Sequence, residues 1–204
     1  MFLRNRHTGE EEAASIASPI AQGDIDCYAA EWKPVLDSKV EELKRLGQYT
    51  KDGVALHNVE DAHWEWPRKV LERAKELRWN SFAVRCAEKT QGMMFVDMVH
   101  RCRLAAQSGA HMVYIDLVST APWNRPRLSP RPVYRGVGEV LMTEAILLSR
   151  DEGFDGRIGL HALPGASDFY RVQWGMEALG ADASYDELHY FELTSERAVA
   201  FLSK

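Results

Sequence analysis

The first third of the chain carries apolar residues at helical spacing, after a start without a regular period. Residues 1–24 are mostly polar and small, and they predict a flexible lead-in. A first helix is predicted over about 30–46, where the apolar positions three or four residues apart are Val35, Leu36, Val40, Leu43 and Leu46. A second helix is predicted from about Pro67, with Val70, Leu71, Ala74 and Leu77 on one apolar face. We therefore expect an N-terminal helical extension.

Beyond residue 80 the pattern changes to short apolar runs between turn residues, which is typical of strands. Residues 81–88 and 92–102 predict a hairpin, with Gly92 helping to reverse the chain. The strongly apolar run 111–120 predicts a central strand covered on both faces. The later elements are predicted as a helix over 137–151, a strand over 157–163, a helix from Pro164, a strand over 184–193 and a final helix from Ser195.

Composition limits the class of protein more than its activity. With 204 residues and 46% hydrophobic residues, we expect one domain over 25–204 with its core in 81–193. The net charge of −5 disfavours a broad nucleic-acid surface. The three cysteines lack metal-binding spacing, so we expect reduced thiols, no metal and a cytoplasmic location. No apolar run is long enough for a bilayer and no signal sequence is evident, so no membrane partner is expected; a homodimer is possible.

One short segment, 134–145, points to chemistry. Arg135, Gly136 and Gly138 lead directly into the helix predicted over 137–151. A glycine-rich turn at a helix N-terminus offers backbone amides and the positive end of the helix dipole to a phosphate. The motif alone is weak, because Gly-x-Gly often precedes a helix for geometric reasons.

Residues around this turn make the motif more specific. The hexapeptide 135–140, Arg-Gly-Val-Gly-Glu-Val, fits the pattern Arg/Gln-x-x-Gly-x-Gly/Ala except at Val140. Pro122 follows the predicted central strand, and Phe169-Tyr170 precedes Gly175 by one residue more than the usual spacing. Over about 81–193 the chain resembles the GCN5-related N-acetyltransferases (GNAT family). The resemblance implies an α/β (α+β) fold with a mixed, mostly antiparallel sheet flanked by helices.

The resemblance also implies acetyl-CoA as the cofactor. Its pyrophosphate would lie on the turn and its pantetheine arm along the end of the preceding strand. The cofactor-binding residues implied in this way are Leu117, Val118, Ser119, Arg135, Gly136, Val137, Gly138, Glu139 and Val140. Val140 stands where relatives have a small residue, and we expect it to crowd the approach of the cofactor.

Three side chains are candidates for acid–base chemistry. Tyr170 would protonate the leaving thiolate, and its alternative role is packing. Asp116 interrupts an apolar run and would act as base directly or through water; the alternative is a carboxylate satisfied by amides or by an arginine. His161 is a rival base, although a structural histidine is favoured there.

The leading interpretation is an N-acetyltransferase that uses acetyl-CoA and a primary amine, in a small molecule or a protein, by direct attack. No cysteine has the setting of a nucleophile. The alternatives are a non-catalytic acyl-CoA sensor and, less favoured because of the acidic charge, a toxin that acetylates aminoacyl-tRNA. Arg125, Arg127 and Arg131 either contact the 3′-phosphate of the cofactor or an acidic acceptor, or belong to a solvated loop. Trp64 and Trp66 either stack on an acceptor or pack the helices.

Overall fold

The computed structural model describes residues Met1–Ser203. The strands are β1 (Phe2–Asn5), β2 (Glu11–Ala17), β3 (Trp79–Cys86), β4 (Lys89–Asp97), β5 (Val113–Thr120), β6 (Tyr134–Arg135), β7 (Ile158–Ala162), β8 (Glu177–Asp182) and β9 (Leu188–Leu193). The α-helices are α1 (Gln22–Cys27), α2 (Lys33–Arg45), α3 (Lys51–Leu56), α4 (Trp66–Arg73), α5 (Val137–Asp151) and α6 (Ser195–Leu202). Two π-helical turns occupy Tyr28–Trp32 and Phe169–Gln173.

The strands form a mixed sheet in the order β6-β1-β2-β3-β4-β5-β7-β9-β8. Strands β5 and β7 are parallel, whereas the pairs β1–β2, β1–β6, β2–β3, β7–β9 and β8–β9 are antiparallel. The predicted mixed, mostly antiparallel sheet with helices is therefore confirmed.

Contacts group the chain into two compact units. The first comprises 1–77, 81–94 and 118–141, and the second comprises 78–80, 95–117 and 142–203. The expected single domain over 25–204, with its core in 81–193, stays a prediction; Lys204 lies outside the described residues.

In the first unit, residues 1–24, for which we expected a flexible lead-in, contain regular secondary structure. They form β1, β2 and the start of α1, with β2 paired to β3 and β1 paired to β6. Six of the seven residues of β2 are small or charged, and Ile16 is its one large apolar residue, so hydrophobic alternation does not identify the strand. Hydrogen bonding of the main chain places these residues in the sheet, and such bonding cannot be predicted from the pattern of side chains.

The helices that follow β2 bury fewer of the predicted positions. Leu36 and Leu43 of α2 lie in a cluster with Val59 and Ala62, as the helical spacing predicts. The predicted face of the second helix is wrong: α4 ends at Arg73, Leu71 is 71% exposed and Leu77 is fully exposed. A charged segment with few apolar residues gives too weak a periodicity to define the buried side.

The predicted hairpin forms as β3 and β4, but its turn is two residues earlier than expected. Ala87 and Glu88 have positive φ angles and reverse the chain. Gly92 instead lies inside β4, where a Cβ atom would come within 2.6 Å of Val137 Cγ1 and 3.0 Å of Leu141 Cδ1. Glycine is needed there because α5 approaches the strand closely, which is a packing requirement rather than a turn requirement.

In the second unit, the sequence predicted β5, β7, β9 and α6, and it missed β8. The exposed β8 has a bulge between Ala178 and Ala181 and pairs with β9. The segment after Pro164 is not the regular helix predicted: it is a 3₁₀ turn over Pro164–Ala166 followed by the π-helical turn.

Candidate functional site

The turn before α5 has the geometry of an anion-binding helix N-terminus. Gly136 has φ +98°, a conformation that glycine adopts without strain, and α5 begins at the next residue. The amide of Val140 donates to the Gly136 carbonyl at 2.9 Å, so the intrahelical bonds begin there. An α-helix in general leaves the amides of its first turn without an intrahelical acceptor. Arg135, just ahead of Gly136, is exposed.

Two contacts fix this turn within the first unit. β6 pairs with β1 through Arg135 and Arg4, and the Tyr134 amide donates to Asn124 Oδ1 at 2.9 Å. Val137 is buried against Gly92, whereas Val140 is half-buried. The Val140 amide is already bonded within the helix. The predicted part of Val140 and its neighbours in cofactor binding stays a prediction.

The end of β5 holds a buried ion pair that the sequence did not reveal. Arg125 is 4% exposed and binds both carboxylate oxygens of Asp61, at 2.7 and 2.6 Å. Ser119 donates to Asp61 at 2.6 Å and accepts from Arg125 at 2.8 Å. Burial opposes ionisation of Asp61, but the Arg125 guanidinium holds the pKa of that carboxyl below its usual range. Both alternatives considered for Arg125 are therefore wrong, and the Ser119 side chain is committed to this pair.

The other arginines of the loop and the two tryptophans near the start of α4 differ in their exposure to solvent. Arg127 and Arg131 are exposed, and Arg127 donates to the Ala55 carbonyl. Trp66 is 1% exposed, which agrees with a packing role, while Trp64 is half-buried.

Strands β5 and β7 separate after three residue pairs. Val113, Tyr114 and Ile115 pair with Ile158, Gly159 and Leu160, and β5 continues to Thr120 without a further pair. Asp116 is the first residue past the last pair and is half-buried; Leu117, which follows, is buried. The separation leaves main-chain groups of β5 without the parallel partner that a continuous sheet would supply.

His161 is held on both ring nitrogens. Nδ1 lies 2.7 Å from the Tyr114 hydroxyl and Nε2 lies 3.1 Å from Asp182 Oδ2, while the Tyr185 ring stacks on the imidazole at 3.8 Å. The carboxylate can only accept, so Nε2 carries the proton and Nδ1 accepts from Tyr114. Burial lowers the pKa of His161, although the bond to Asp182 opposes this effect. This geometry supports the structural alternative for His161 over a base.

Tyr170 lies in the second π-helical turn, which accounts for its unusual spacing from Gly175. The Trp174 amide donates to the Phe169 carbonyl, five residues back, at 3.3 Å. A π turn accommodates one residue more than an α turn, so the insertion is absorbed without displacing Gly175. Tyr170 is 6% exposed, and burial raises the pKa of its phenol.

The register of the second unit assigns these side chains to opposite faces. His161 is opposite Tyr190 and Leu160 is opposite Phe191, so successive residues alternate between the faces. Tyr114, Asp116 and His161 share one face by the same alternation. The Tyr170 ring packs 6.2 Å from Phe191, which belongs to the other face.

The sequence reasoning missed a second histidine on the Asp116 face. The His100 ring stacks on Tyr114 at 4.1 Å, and its Nε2 lies 3.2 Å from Asp97 Oδ2. Asp97 is 1% exposed and also accepts two hydrogen bonds from Arg78. The available signal was Asp-x-x-His at the end of the strand predicted over 92–102. In a regular strand, side chains at this spacing do not meet, so the pair was not recognised.

Other chemistries have less support. Cys27, Cys86 and Cys102 are free thiols, and burial raises the pKa of Cys102 to about 11, which disfavours a thiolate nucleophile. Within residues 1–203, no group of three or more His, Cys, Asp or Glu is arranged to hold a metal ion. Across the same residues, no helix combines the length and apolar character needed to cross a bilayer.

Comparison with known proteins finds similarity at the level of structure. No family model and no curated protein matches the sequence. The PaiA N-acetyltransferase from Thermoplasma acidophilum, solved with coenzyme A, aligns with TM-score 0.55 and 10% identity over 88% of this chain and 98% of that one. A Desulfovibrio desulfuricans structure described as a GNAT acetyltransferase aligns with TM-score 0.54 and 12% identity, over 90% and 99%. A bacterial toxin aligns with TM-score 0.57 and 14% identity, over 94% and 97%. With the turn before α5 and the separated strands β5 and β7, these alignments show that the chain has the GNAT acetyltransferase fold.

Proposed function

We propose that this protein belongs to the GNAT family and is an acetyl-CoA-dependent N-acetyltransferase that acts on a primary amine by direct attack. The observation that carries the proposal is the Gly136 turn, which has a φ of +98° and leads directly into the N-terminus of α5. The structural similarity to acetyltransferases, one of them solved with coenzyme A, supports the same cofactor here.

In this proposal the pyrophosphate binds the amides of Gly136 to Glu139, with Arg135 adding positive charge. The pantetheine arm binds main-chain groups of Leu117 to Ser119, because the Ser119 hydroxyl is committed to Asp61. The chain's own residues supply the remaining chemistry: the Asp116 carboxylate attracts the substrate ammonium and Tyr170 protonates the departing thiolate. Placement of Asp116 and Tyr170 on opposite faces of the sheet supports attack from one face and departure on the other.

The test is release of free thiol from acetyl-CoA with a panel of amines, including polyamines, amino acids, aminoglycosides and peptides. Turnover that depends on the amine supports the proposal, and Tyr170→Phe should lower kcat by about 10²- to 10⁴-fold. Calorimetric binding of CoA without turnover on any acceptor would favour the sensor. Turnover on aminoacyl-tRNA alone would favour the toxin.

Cofactor binding by the turn has a separate prediction. Arg135→Ala should weaken CoA binding by about 5- to 150-fold, because a charge-assisted contact to phosphate contributes about 1–3 kcal/mol. Arg150→Ala, which removes an exposed arginine from the other end of α5, is the matched control and should leave the Kd unchanged. Equal affinity for CoA in both variants, measured by calorimetry, would contradict the assignment of Arg135.

A further inference from the structure

His100 has the surroundings of a base whose ring is held in one orientation. Nε2 lies 3.2 Å from Oδ2 of the buried Asp97 carboxylate, which accepts hydrogen bonds from Arg78 and from the Val99 amide. A carboxylate can only accept, so its position beside Nε2 favours the proton on that nitrogen and leaves a lone pair on Nδ1. Nδ1 has no hydrogen-bond partner in the described part of the chain, and the side chain is 24% exposed.

Packing also directs the ring toward the face where the amine is proposed to arrive. The imidazole lies nearly parallel to the Tyr114 ring, with an interplanar angle of 20°. Tyr114 precedes Asp116 by two residues on the same face of β5, a separation of about 7 Å along a strand. Main-chain bonding fixes the segment, since the His100 carbonyl accepts from the Met112 amide and Arg101 forms a bridge with His111.

Of the two histidines near this face, His100 is the one with an available nitrogen. Both nitrogens of His161 are occupied, by Tyr114 and by Asp182. A base must hold an unprotonated acceptor within reach of the substrate, and an orienting carboxylate on its other nitrogen is the usual arrangement for imidazole bases.

We propose that His100 is the general base that deprotonates the acceptor amine, with Asp97 and Arg78 as positioning residues; this inference rests on the proposed acetyl transfer. One proton of the substrate ammonium passes to Nδ1, and the resulting imidazolium loses it to water. The amine nitrogen then forms a bond to the thioester carbon, and the C–S bond breaks. Coenzyme A leaves as a thiol with the proton of Tyr170, a second proton of the amine returns to the phenolate through solvent, and the amide keeps the third.

The charges around His100 are consistent with this cycle. Burial lowers the pKa of His100, so its neutral form is present near neutral pH. Asp97 and Asp116 oppose that shift and stabilise the imidazolium once it forms, whereas Arg78 acts in the other direction. Tyr114 is the remaining titratable group packed directly on the ring.

The experiment compares kcat/KM for thiol release, over a range of pH, in the unmodified protein and three variants. His100→Gln should lower kcat/KM by about 10²- to 10⁴-fold and remove the acidic limb of the pH profile. Asp97→Asn removes a negative charge that favours the imidazolium, so the acidic limb should move to lower pH. His189→Gln replaces an exposed histidine of β9 and is the matched control, with an unchanged profile expected.

Chemical rescue separates a base from a merely structural histidine. Added imidazole should restore part of the activity of His100→Ala and should have no effect on the unmodified protein. A fully active His100→Gln, or a His100→Ala variant that is folded by circular dichroism and not rescued, would overturn the base role while leaving acetyl transfer intact. Absence of turnover by the unmodified protein on every amine would overturn the proposed function and this role together.

Discussion

At the scale of single residues, burial separates arginines that look alike in the sequence. Arg125 and Arg127 occupy the same proline-rich loop, yet only Arg125 is buried and paired with a carboxylate. Removing one partner of a buried ion pair is strongly destabilising, because the charge of the other partner is left buried and uncompensated.

Arg125→Ala should therefore lower the free energy of unfolding by about 3–5 kcal/mol, as it leaves Asp61 buried without its partner. Arg127→Ala, in the same loop, should change it by no more than about 0.5 kcal/mol. Urea unfolding followed by circular dichroism measures both values. Similar effects of the two substitutions would show that the buried pair does not contribute as described.

At the scale of elements, local geometry explains why some residues have a role other than the one that the sequence pattern indicates. Gly92 was predicted as a turn residue and is a contact residue of α5. The π-helical turn at Tyr170 likewise absorbs an additional residue that looked like a defect in the motif.

Gly92→Ala should destabilise the protein by about 1–3 kcal/mol, because the added methyl group collides with Val137 and Leu141. Gly23→Ala in α1 is the control: nothing lies within 4 Å of its added Cβ, and alanine favours helix by up to about 1 kcal/mol. Thermal unfolding distinguishes the two directions. Adding Val137→Ala to Gly92→Ala should recover part of the loss, and no recovery would locate the collision elsewhere.

At the scale of the whole molecule, buried carboxylates link stability to pH. Asp24 is 1% exposed, and although burial opposes its ionisation, hydrogen bonds from Arg85 and Thr90 hold its pKa below the ordinary 3.8. Asp61 is shifted in the same direction by Arg125. An unfolded chain binds protons on these groups at higher pH than the folded protein does.

The contribution of these carboxylates to stability should thus be complete above about pH 5 and should be lost progressively as the pH falls further. The free energy of unfolding by urea, measured from pH 6 to pH 2.5, should decrease over this range. Asp24→Asn should start from a lower stability and show a shallower decrease. A parallel decrease in that variant would exclude Asp24 as one of the linked groups.

The sequence by itself determined the elements with strong periodicity or a clear local signal. A helix was predicted over about 137–151, where α5 lies, and α6, β5 and the turn at Gly136 follow from patterns of neighbouring residues. The catalytic candidates Asp116 and Tyr170 came from local patterns too: a carboxylate in an apolar run and an aromatic pair before glycine.

Tertiary structure decided everything that depends on residues distant in the chain. The pairing of Asp61 with Arg125, and of His161 with Tyr114 and Asp182, joins side chains between 21 and 64 positions apart. Strands β2 and β8 carry few large apolar side chains, and main-chain pairing with β3 and β9 places them in the sheet. The periodicity of apolar residues indicates which side of a helix or strand is buried. Folding alone determines which element covers that side and which cation pairs with a buried carboxylate, because these partners are distant in the chain.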